Sequence, residues 1–587
     1  MRIWNMARGF VLVTIAAVGC KSLDVTNPNN PSSTVLTDPS ILEALAGGTM
    51  QGWFNSYSLL ETTGVLNDQA RSVSSSWNNG NMNFYSGIDI SPSDTTADPS
   101  TWTRNTRSWQ NDLSATGRTS VLNPWAGMYG ALSSANSALK AIRKGGAVIG
   151  TAAQTKRAET IAQFMQAAVL EFIALDYDQG YFINENSDLT ALKRVSRKAL
   201  RDSARKSLDA TIALANANTF VTDGAWANGL TYSNVQIAQI ANTMAAMLLI
   251  YYPRDDGETT TAGIVDWAAV AAYASKGMST GTPVIFAFNG DGCVNWCQNM
   301  MPWFTDYSTG RISTRVAHFV DPVTQLDPYP LGVGNPQPNS PDARMGDGSF
   351  GDASLEDVYS NVPKTANAGT DFAFSATGEV FRPDRGYFQQ SNIGFTRWDA
   401  SGKEDPTGQY AGYGFSPVII PSMNDLIWAE ARLRTGDAAG AAALIDKTRV
   451  GRGKLSSASL VVATPGTSAD GPCMSSGKLA KDGTACTLWS ELLYENEIEL
   501  LQMGPASFWN QRRLPLVKAT AWERAVACRK AGCTPNPNTI FNGPRYIQGL
   551  LPGTPREMPV PAKELAIGQE TFYTFGGGNP PKGTEAP

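Results

Sequence analysis

The chain has 587 residues, with 47 Lys and Arg against 52 Asp and Glu, which gives a net charge of −5 and a pI near 5.3. A nucleic-acid-binding protein normally needs a concentrated basic face, so this balance argues against that class of ligand. The single histidine, His318, excludes a multi-histidine zinc site. A Ser-His-Asp triad is also disfavoured, because no Gly-x-Ser-x-Gly turn supplies the serine. We therefore expect His318 to be structural or solvated, and we predict no catalytic residue and no metal site.

Residues 1–19 have the pattern of a bacterial signal peptide. Basic residues precede an apolar run from Phe10 to Val18, which is far shorter than the ~20 residues of a membrane-spanning helix. The following Ala17-Val18-Gly19-Cys20 resembles a lipobox, so Cys20 is the predicted lipid attachment site. Ordinary secretion, with Cys20 just inside the mature chain, is the alternative. Residues 20–40 then form an anchor and an extended polar lead.

Six cysteines remain once Cys20 is assigned to the lipid. An even number in an exported chain favours disulfides, and six cysteines allow about fifteen connectivities. Local pairing is the simplest of these, and it joins Cys293 to Cys297, Cys473 to Cys486 and Cys528 to Cys533. None of these spacings fits a four-cysteine zinc ribbon.

Helical periodicity dominates the chain on both sides of a long loop-rich stretch. Apolar residues recur every three or four positions within residues 161–175 and 237–248. From about residue 252 to 420 this periodicity fades into Gly, Pro, Asn and Asp, which predicts an insertion of ordered loops with short strands. Loops of that length are usually functional. Residues 421–451 then resemble a tetratricopeptide hairpin, in which Asp437 caps the second helix.

Four segments occur in an order that spans almost the whole mature chain. They are Cys20–Val25 with Pro28 shortly after, the hairpin Leu426–Arg449, the stretch Leu488–Arg513 with its Phe508-Trp509 and Arg512-Arg513 pairs, and Met558–Leu565. This ordered set resembles the SusD/RagB family of outer-membrane nutrient-binding lipoproteins.

The resemblance implies a mainly all-α, SusD-like body with degenerate tetratricopeptide hairpins and a loop-rich ligand-binding face. It implies no catalytic machinery and no cofactor. It also implies a location at the outer membrane, facing outward, and a SusC-like TonB-dependent transporter as the partner that receives an oligomeric nutrient, a glycan in preference to a peptide. The predicted divisions are a signal peptide at 1–19, the anchor and lead at 20–40, one domain at 41–573 and a flexible tail at 574–587.

Two clusters of aromatic and polar residues are candidate ligand sites, because aromatic faces cover sugar rings while amides, carboxylates and Arg bind hydroxyls. The early cluster consists of Asp68, Arg71, Trp77, Asn78, Asn79, Asn81 and Tyr85. The late cluster consists of Trp296, Trp303, Phe304 and Tyr307. A disulfide between Cys293 and Cys297 would present Trp296 on a rigid loop, which lowers the entropy lost on binding. Each aromatic residue could instead belong to the core.

Two other functions remain open at this stage. The predicted helix carries four glutamates that could serve a lipid-anchored glycoside hydrolase, namely Glu491, Glu495, Glu497 and Glu499. The i,i+4 spacing places Glu491, Glu495 and Glu499 roughly along one side, and an ion-pair network is the favoured interpretation. The available partners are Arg449, Arg452, Arg512 and Arg513. A periplasmic tetratricopeptide scaffold that binds other proteins is the second alternative. A structural Ca²⁺ at Asp342, Asp347 and Asp352 is conceivable from the oxygen ligands, but EF-hand spacing is lacking.

Overall fold

The structure is a computed structural model that describes most of the helical body. The described residues are 38–59, 109–281, 283–297, 310–321, 338–345, 413–463, 486–514 and 555–573, with short stretches between them that include 73–75, 88–90, 104–106, 371–374 and 393–395. Cys20, the lead before residue 38 and the tail from residue 574 lie outside this part of the chain, so the corresponding predictions stay predictions.

Helices form most of the described chain. They are α1 Pro39–Tyr57, α2 Thr119–Arg143, α3 Ala152–Asp176, α4 Arg197–Ala217, α5 Asn234–Tyr251, α6 Asp256–Thr260, α7 Trp267–Ala274, α8 Thr314–Val320, α9 Pro421–Arg434, α10 Ala438–Arg449, α11 Ser459–Ala463, α12 Leu488–Glu499, α13 Ala506–Arg513 and α14 Ala562–Ile567. The prediction of a mainly α-helical body is confirmed.

The strands are short and pair two by two, always antiparallel. They are β1 Val73–Ser75, β2 Ile88–Ile90, β3 Arg104–Thr106, β4 Gln179–Tyr181, β5 Arg194–Ser196, β6 Phe286–Asp291, β7 Gly310–Ile312, β8 Phe372–Phe374, β9 Ile393–Phe395 and β10 Tyr413–Ile419. The pairs are β1 with β7, β2 with β3, β4 with β5, β6 with β10, and β8 with β9.

Local sequence signals determine where several helices begin. α3 and α5 start with capping boxes, in which the side chains of Thr151 and Ser233 accept hydrogen bonds from the third helical N–H. At the predicted hairpin, Gly436 takes a φ of 89°, which suits the glycine that ends α9. Asp437 then accepts a hydrogen bond of 2.8 Å from the N–H of Gly440 and starts α10. The structure has a helix–turn–helix here, formed by α9 Pro421–Arg434 and α10 Ala438–Arg449.

Helix α3 lies at the centre of the main core and packs against α1, α2 and α4. Within the described residues it is the one helix whose length and apolar composition would suffice to cross a membrane, and its apolar stretch is wholly buried in the protein. Core helices commonly have this composition. Around it, α2 with α3, α4 with α5 and α9 with α10 pack as successive helix pairs, which is the arrangement expected of degenerate tetratricopeptide hairpins.

The segment 555–573 closes the core where α3 ends. Met558 donates its N–H to the carbonyl of Asp176 at 2.7 Å, and its own carbonyl accepts from the N–H of Asp178 at 3.0 Å. The indole of the buried Trp109 donates to the carbonyl of Glu557 at 2.8 Å. This segment therefore joins the end of the described chain to residues that lie several hundred positions earlier.

Candidate ligand-binding face

The pairing of β1 with β7 brings together the two stretches of chain that carry the predicted clusters. Val73 lies opposite Ile312, and Ser75 lies opposite Gly310. In the sequence, Trp77 follows the end of β1 by two residues, and Tyr307 precedes the start of β7 by three. Because the strands are antiparallel, the chain leaves β1 at the end of the ribbon where it enters β7.

Most of the predicted site residues lie outside the described part of the chain. These are Asp68, Arg71, Trp77, Asn78, Asn79, Asn81, Tyr85, Trp303, Phe304 and Tyr307. Just before the early cluster, the amide of the buried Asn67 donates to the carbonyl of Gly504 at 3.1 Å. The early segment is therefore attached to the helical body at its start and to β7 at β1.

The Cys293–Cys297 pair forms a disulfide that closes a five-residue loop directly after β6. The carboxylate of Asp291 organises this loop from its base, because it accepts hydrogen bonds from three successive backbone N–H groups at 2.9 to 3.0 Å. The donors are Val294, Asn295 and Trp296. The tip residue, Val294, is 74% exposed.

The same loop is attached to helix α1 by side-chain amides. Gln51 and Asn55 both donate to the carbonyl of Asn295, at 2.9 and 2.8 Å. Asn55 also accepts from the N–H of Cys297 at 2.8 Å. The loop is thus held by a disulfide, by Asp291 and by α1, so little backbone freedom remains to be lost when a ligand contacts it.

Trp296 packs in the core, which is the alternative that the sequence left open for each aromatic residue. Its side chain is only 6% exposed and belongs to the main core. The indole stacks on Phe288 with ring centres 5.7 Å apart and contacts Phe54 at 6.1 Å. Because Asp291 folds the loop back on itself, the indole packs on β6 and α1. Burying its large apolar surface there stabilises the protein more than leaving it exposed at the loop would.

The glutamates of α12 form a buried ion-pair network with arginines, as the favoured interpretation predicted. Glu491 pairs with Arg449. Glu495 pairs with Arg344 at 2.8 Å, and Glu499 with Arg452 at 3.2 Å and with Arg397 at 2.9 Å. Two of the predicted partners pair elsewhere. Arg513 binds Glu430 at 2.7 Å, and Arg512 donates to the carbonyl of Tyr251 at 2.9 Å.

Burial and charge act in opposite directions on these carboxyls. Burial raises the pKa of Glu495 above its usual value, and the neighbouring Arg344 only partly offsets this. Burial also disfavours the ionised form of Glu499, but Arg397, Arg452 and Arg344 together outweigh it and hold its pKa below the usual value. Glu491, Glu495 and Glu499 are fully buried. They are therefore not accessible to a glycosidic bond, and the hypothesis of a glycoside hydrolase that uses these carboxylates is not supported.

The remaining sequence candidates have structural roles. His318 is buried, and its Nδ1 lies 2.8 Å from the carbonyl oxygen of Gln325. Asp342 binds Arg344 at 2.7 Å and accepts a hydrogen bond from the hydroxyl of Tyr494 at 2.7 Å. Asp347 and Asp352 lie outside the described residues, and the described part of the chain contains no group of three potential metal ligands.

The other cysteines are described only in part. Cys486 is buried and disulfide-bonded. Its predicted partner Cys473, together with Cys528 and Cys533, lies outside the described residues, so those pairings stay predictions.

Two features had no signal in the sequence. Arg344 and Arg397 come from the loop-rich stretch, where no periodicity relates them to α12. A cleft between α4, α5 and α7 depends on how three separate helices pack, and it is described below.

Comparison with known proteins gives a fold. No protein-family model and no curated protein matches this sequence. A SusD superfamily protein from Bacteroides vulgatus superposes with a TM-score of 0.50 at 13% identity, over 92% of this chain and 99% of that one. A SusD-like carbohydrate binding protein from Bacteroides fragilis superposes with a TM-score of 0.51 at 12% identity, over 91% of this chain and 99% of that one. The chain therefore has the fold of the SusD superfamily.

Proposed function

We propose that this protein binds an oligosaccharide on the face formed by the Cys293–Cys297 loop and the β1–β7 ribbon. The observation that carries the proposal is the strand pairing of Ser75 with Gly310, because it unites two segments rich in Trp, Tyr, Asn and acidic or basic residues. Flat aromatic faces with a few placed polar groups are what a sugar site requires. The fold shared with a SusD-like carbohydrate binding protein supports the same ligand class.

The proposal includes a cellular location and a protein partner. A lipid on Cys20 would hold the protein at the outer membrane with this face outward, and a SusC-like TonB-dependent transporter would receive the bound glycan. The lipobox-like Ala17–Cys20 and the shared fold support this arrangement. One acyl chain binds a membrane only marginally, so a multiply acylated cysteine suits stable anchoring.

Glycan-array binding followed by calorimetry on the best ligand tests the site. Trp77→Ala and Trp303→Ala should each weaken binding about tenfold or more, since one lost aromatic contact costs ~1.4 kcal/mol. Trp428→Ala is the matched control, because this indole lies on α9 beneath Arg432 and belongs to neither cluster. Unchanged affinity in both test variants would refute the proposed site. Turnover of the glycan that Glu495→Gln abolishes would refute the function.

Copurification tests the proposed transporter partner, and protease treatment of intact cells tests the proposed surface location. Tagged protein purified from detergent-solubilised outer membranes should bring down a large β-barrel. Protease added to intact cells should degrade the protein. Survival of the protein in intact cells would instead favour the periplasmic scaffold.

A further inference from the structure

Helices α4, α5 and α7 enclose an open cleft of about 600 Å³ that is separate from the proposed glycan-binding face. Sites for small ligands commonly measure ~300–1,000 Å³. The wall combines aliphatic side chains with three side-chain amides, two cations, one carboxylate and one tyrosine. The glycan proposal uses none of these groups.

Asn242 presents a hydrogen-bond acceptor on the wall of this cleft. The residue is only 5% exposed, and its Nδ2 donates to the carbonyl of Ala238 one turn earlier at 2.8 Å. No described residue donates to its Oδ1. This oxygen is reached from the cleft and is not sealed in the core, so an N–H group placed in the cleft can donate a hydrogen bond to it.

Two further amides lie along the same cleft. Gln239 precedes Asn242 by three residues and therefore shares its face of α5. Asn216 lines the cleft from α4. Within the described chain the side chains of Gln239 and Asn216 make no hydrogen bond. A row of amides with free donors and acceptors matches a peptide backbone, in which each residue presents one N–H and one C=O.

The charges in the cleft favour a carboxylate. Arg205 donates through Nε to the hydroxyl of Tyr273 at 3.2 Å, and that hydroxyl donates to Asp209 at 2.6 Å. Neither Arg205 nor Lys276 lies within ion-pair distance of a carboxylate among the described residues, although the negative charges of Asp209 and Asp266 act on Arg205 from farther away. The two cations therefore remain available for a charge-assisted hydrogen bond, which is stronger than a neutral one.

The same geometry disfavours a second sugar site. Arg205 lies over the ring of Tyr273 at 5.5 Å from its centre, so one face of the aromatic ring on this wall is covered. The apolar part of the lining consists of small and branched aliphatic side chains, including Ala238, Ala269 and Val235. Such a surface suits small apolar side chains better than it suits a pyranose ring.

We propose that the cleft between α4, α5 and α7 binds an extended peptide with a free C-terminal carboxylate. Gln239, Asn242 and Asn216 hydrogen-bond the backbone of the peptide, and Arg205 and Lys276 bind its carboxylate. The site is independent of glycan binding.

Calorimetric titration of the full chain with N-acetyl-tetra-alanine tests the proposal. The free-acid peptide should bind about tenfold more tightly than the same peptide with a C-terminal amide. In the double variant Arg205→Gln/Lys276→Gln this preference should vanish. Lys206→Gln is the matched control, because Lys206 is exposed beside Arg205 but does not line the cleft, and it should retain the preference.

Gln239→Leu separates the backbone contacts from the carboxylate contact and, because Gln239 is only half-buried, avoids the folding risk of changing Asn242. This variant should weaken the binding of the free-acid peptide and of the amidated peptide by the same factor. The proposal is wrong if neither peptide binds at about 1 mM, if both bind the wild type equally, or if the double variant keeps the preference. Cellotetraose that binds this cleft more tightly than the free-acid peptide would also overturn it.

Discussion

Replacing Asp178 by Asn should change how the stability of the protein depends on pH. Asp178 follows α3 and is fully buried. Its Oδ2 accepts a hydrogen bond of 2.8 Å from the hydroxyl of Tyr573, while no described group donates to its Oδ1. Burial, and then the negative charge of Glu557, raises the pKa of this carboxyl to about 8. At neutral pH the folded protein therefore holds the proton, whereas the unfolded chain has lost it.

The magnitude follows from linkage. The unfolded pKa is 3.8, so between that value and about 8 the folded state binds one proton more than the unfolded state. The free energy of unfolding then falls by about 1.4 kcal/mol for each pH unit, or about 3 kcal/mol from pH 5 to pH 7. This stabilisation is complete below the unfolded pKa and is lost as the pH rises through the folded one. Asn cannot ionise, so Asp178→Asn should remove this decline while keeping an oxygen for Tyr573.

Urea unfolding followed by circular dichroism at pH 5, 6 and 7 measures the effect. The stability of Asp178→Asn relative to the wild type should increase by about 3 kcal/mol across this range. Asp256→Asn, at an exposed position in the first turn of α6, should follow the wild type at every pH. The reasoning is refuted if the difference in the free energy of unfolding between Asp178→Asn and the wild type does not change with pH. It is also refuted if the wild type gains stability relative to the variant as the pH rises.

Four further changes have expected magnitudes that denaturant unfolding can check. Trp296→Ala should destabilise by about 3–5 kcal/mol because it empties a site in the aromatic core; a loss under about 1 kcal/mol would contradict its placement there. Replacing Cys293 and Cys297 together by Ser should cost only about 2 kcal/mol, because the closed loop is short. Glu491→Gln should cost about 3–5 kcal/mol, since it leaves Arg449 buried without its anion. Asp437→Ala should cost about 1 kcal/mol through the lost cap of α10, and a Ser at this position should recover most of it.

The features that could be predicted from sequence are those that arise locally. Apolar periodicity located α3 and α5, and a glycine followed by an aspartate located the turn between α9 and α10. The spacing of Glu491, Glu495 and Glu499 indicated a shared face and ion pairing, although only two of the four expected arginines take part.

The features that escaped prediction depend on contacts between distant segments. Arg344 reaches Glu495 across 151 positions, and nothing in the composition of the loops singles it out. The direction of the Trp296 indole is set by Asp291 and by the position of α1, neither of which is visible from a cysteine spacing. The peptide cleft likewise exists only after α4, α5 and α7 have packed.

The closing segment 555–573 bears on when the protein can fold. Trp109 and Glu557 are separated by 448 positions. The backbone groups of Asp176 and Asp178 at the end of α3 form their hydrogen bonds with Met558, so these bonds require the segment 555–573. Contacts of such sequence separation slow folding, because a very large loop must close before they form. We therefore expect the core around α3 to stay incomplete until nearly the whole chain has been synthesised. Under the export that we propose, this delay keeps the chain unfolded for longer, and a chain that ends before residue 555 should be more sensitive to proteases.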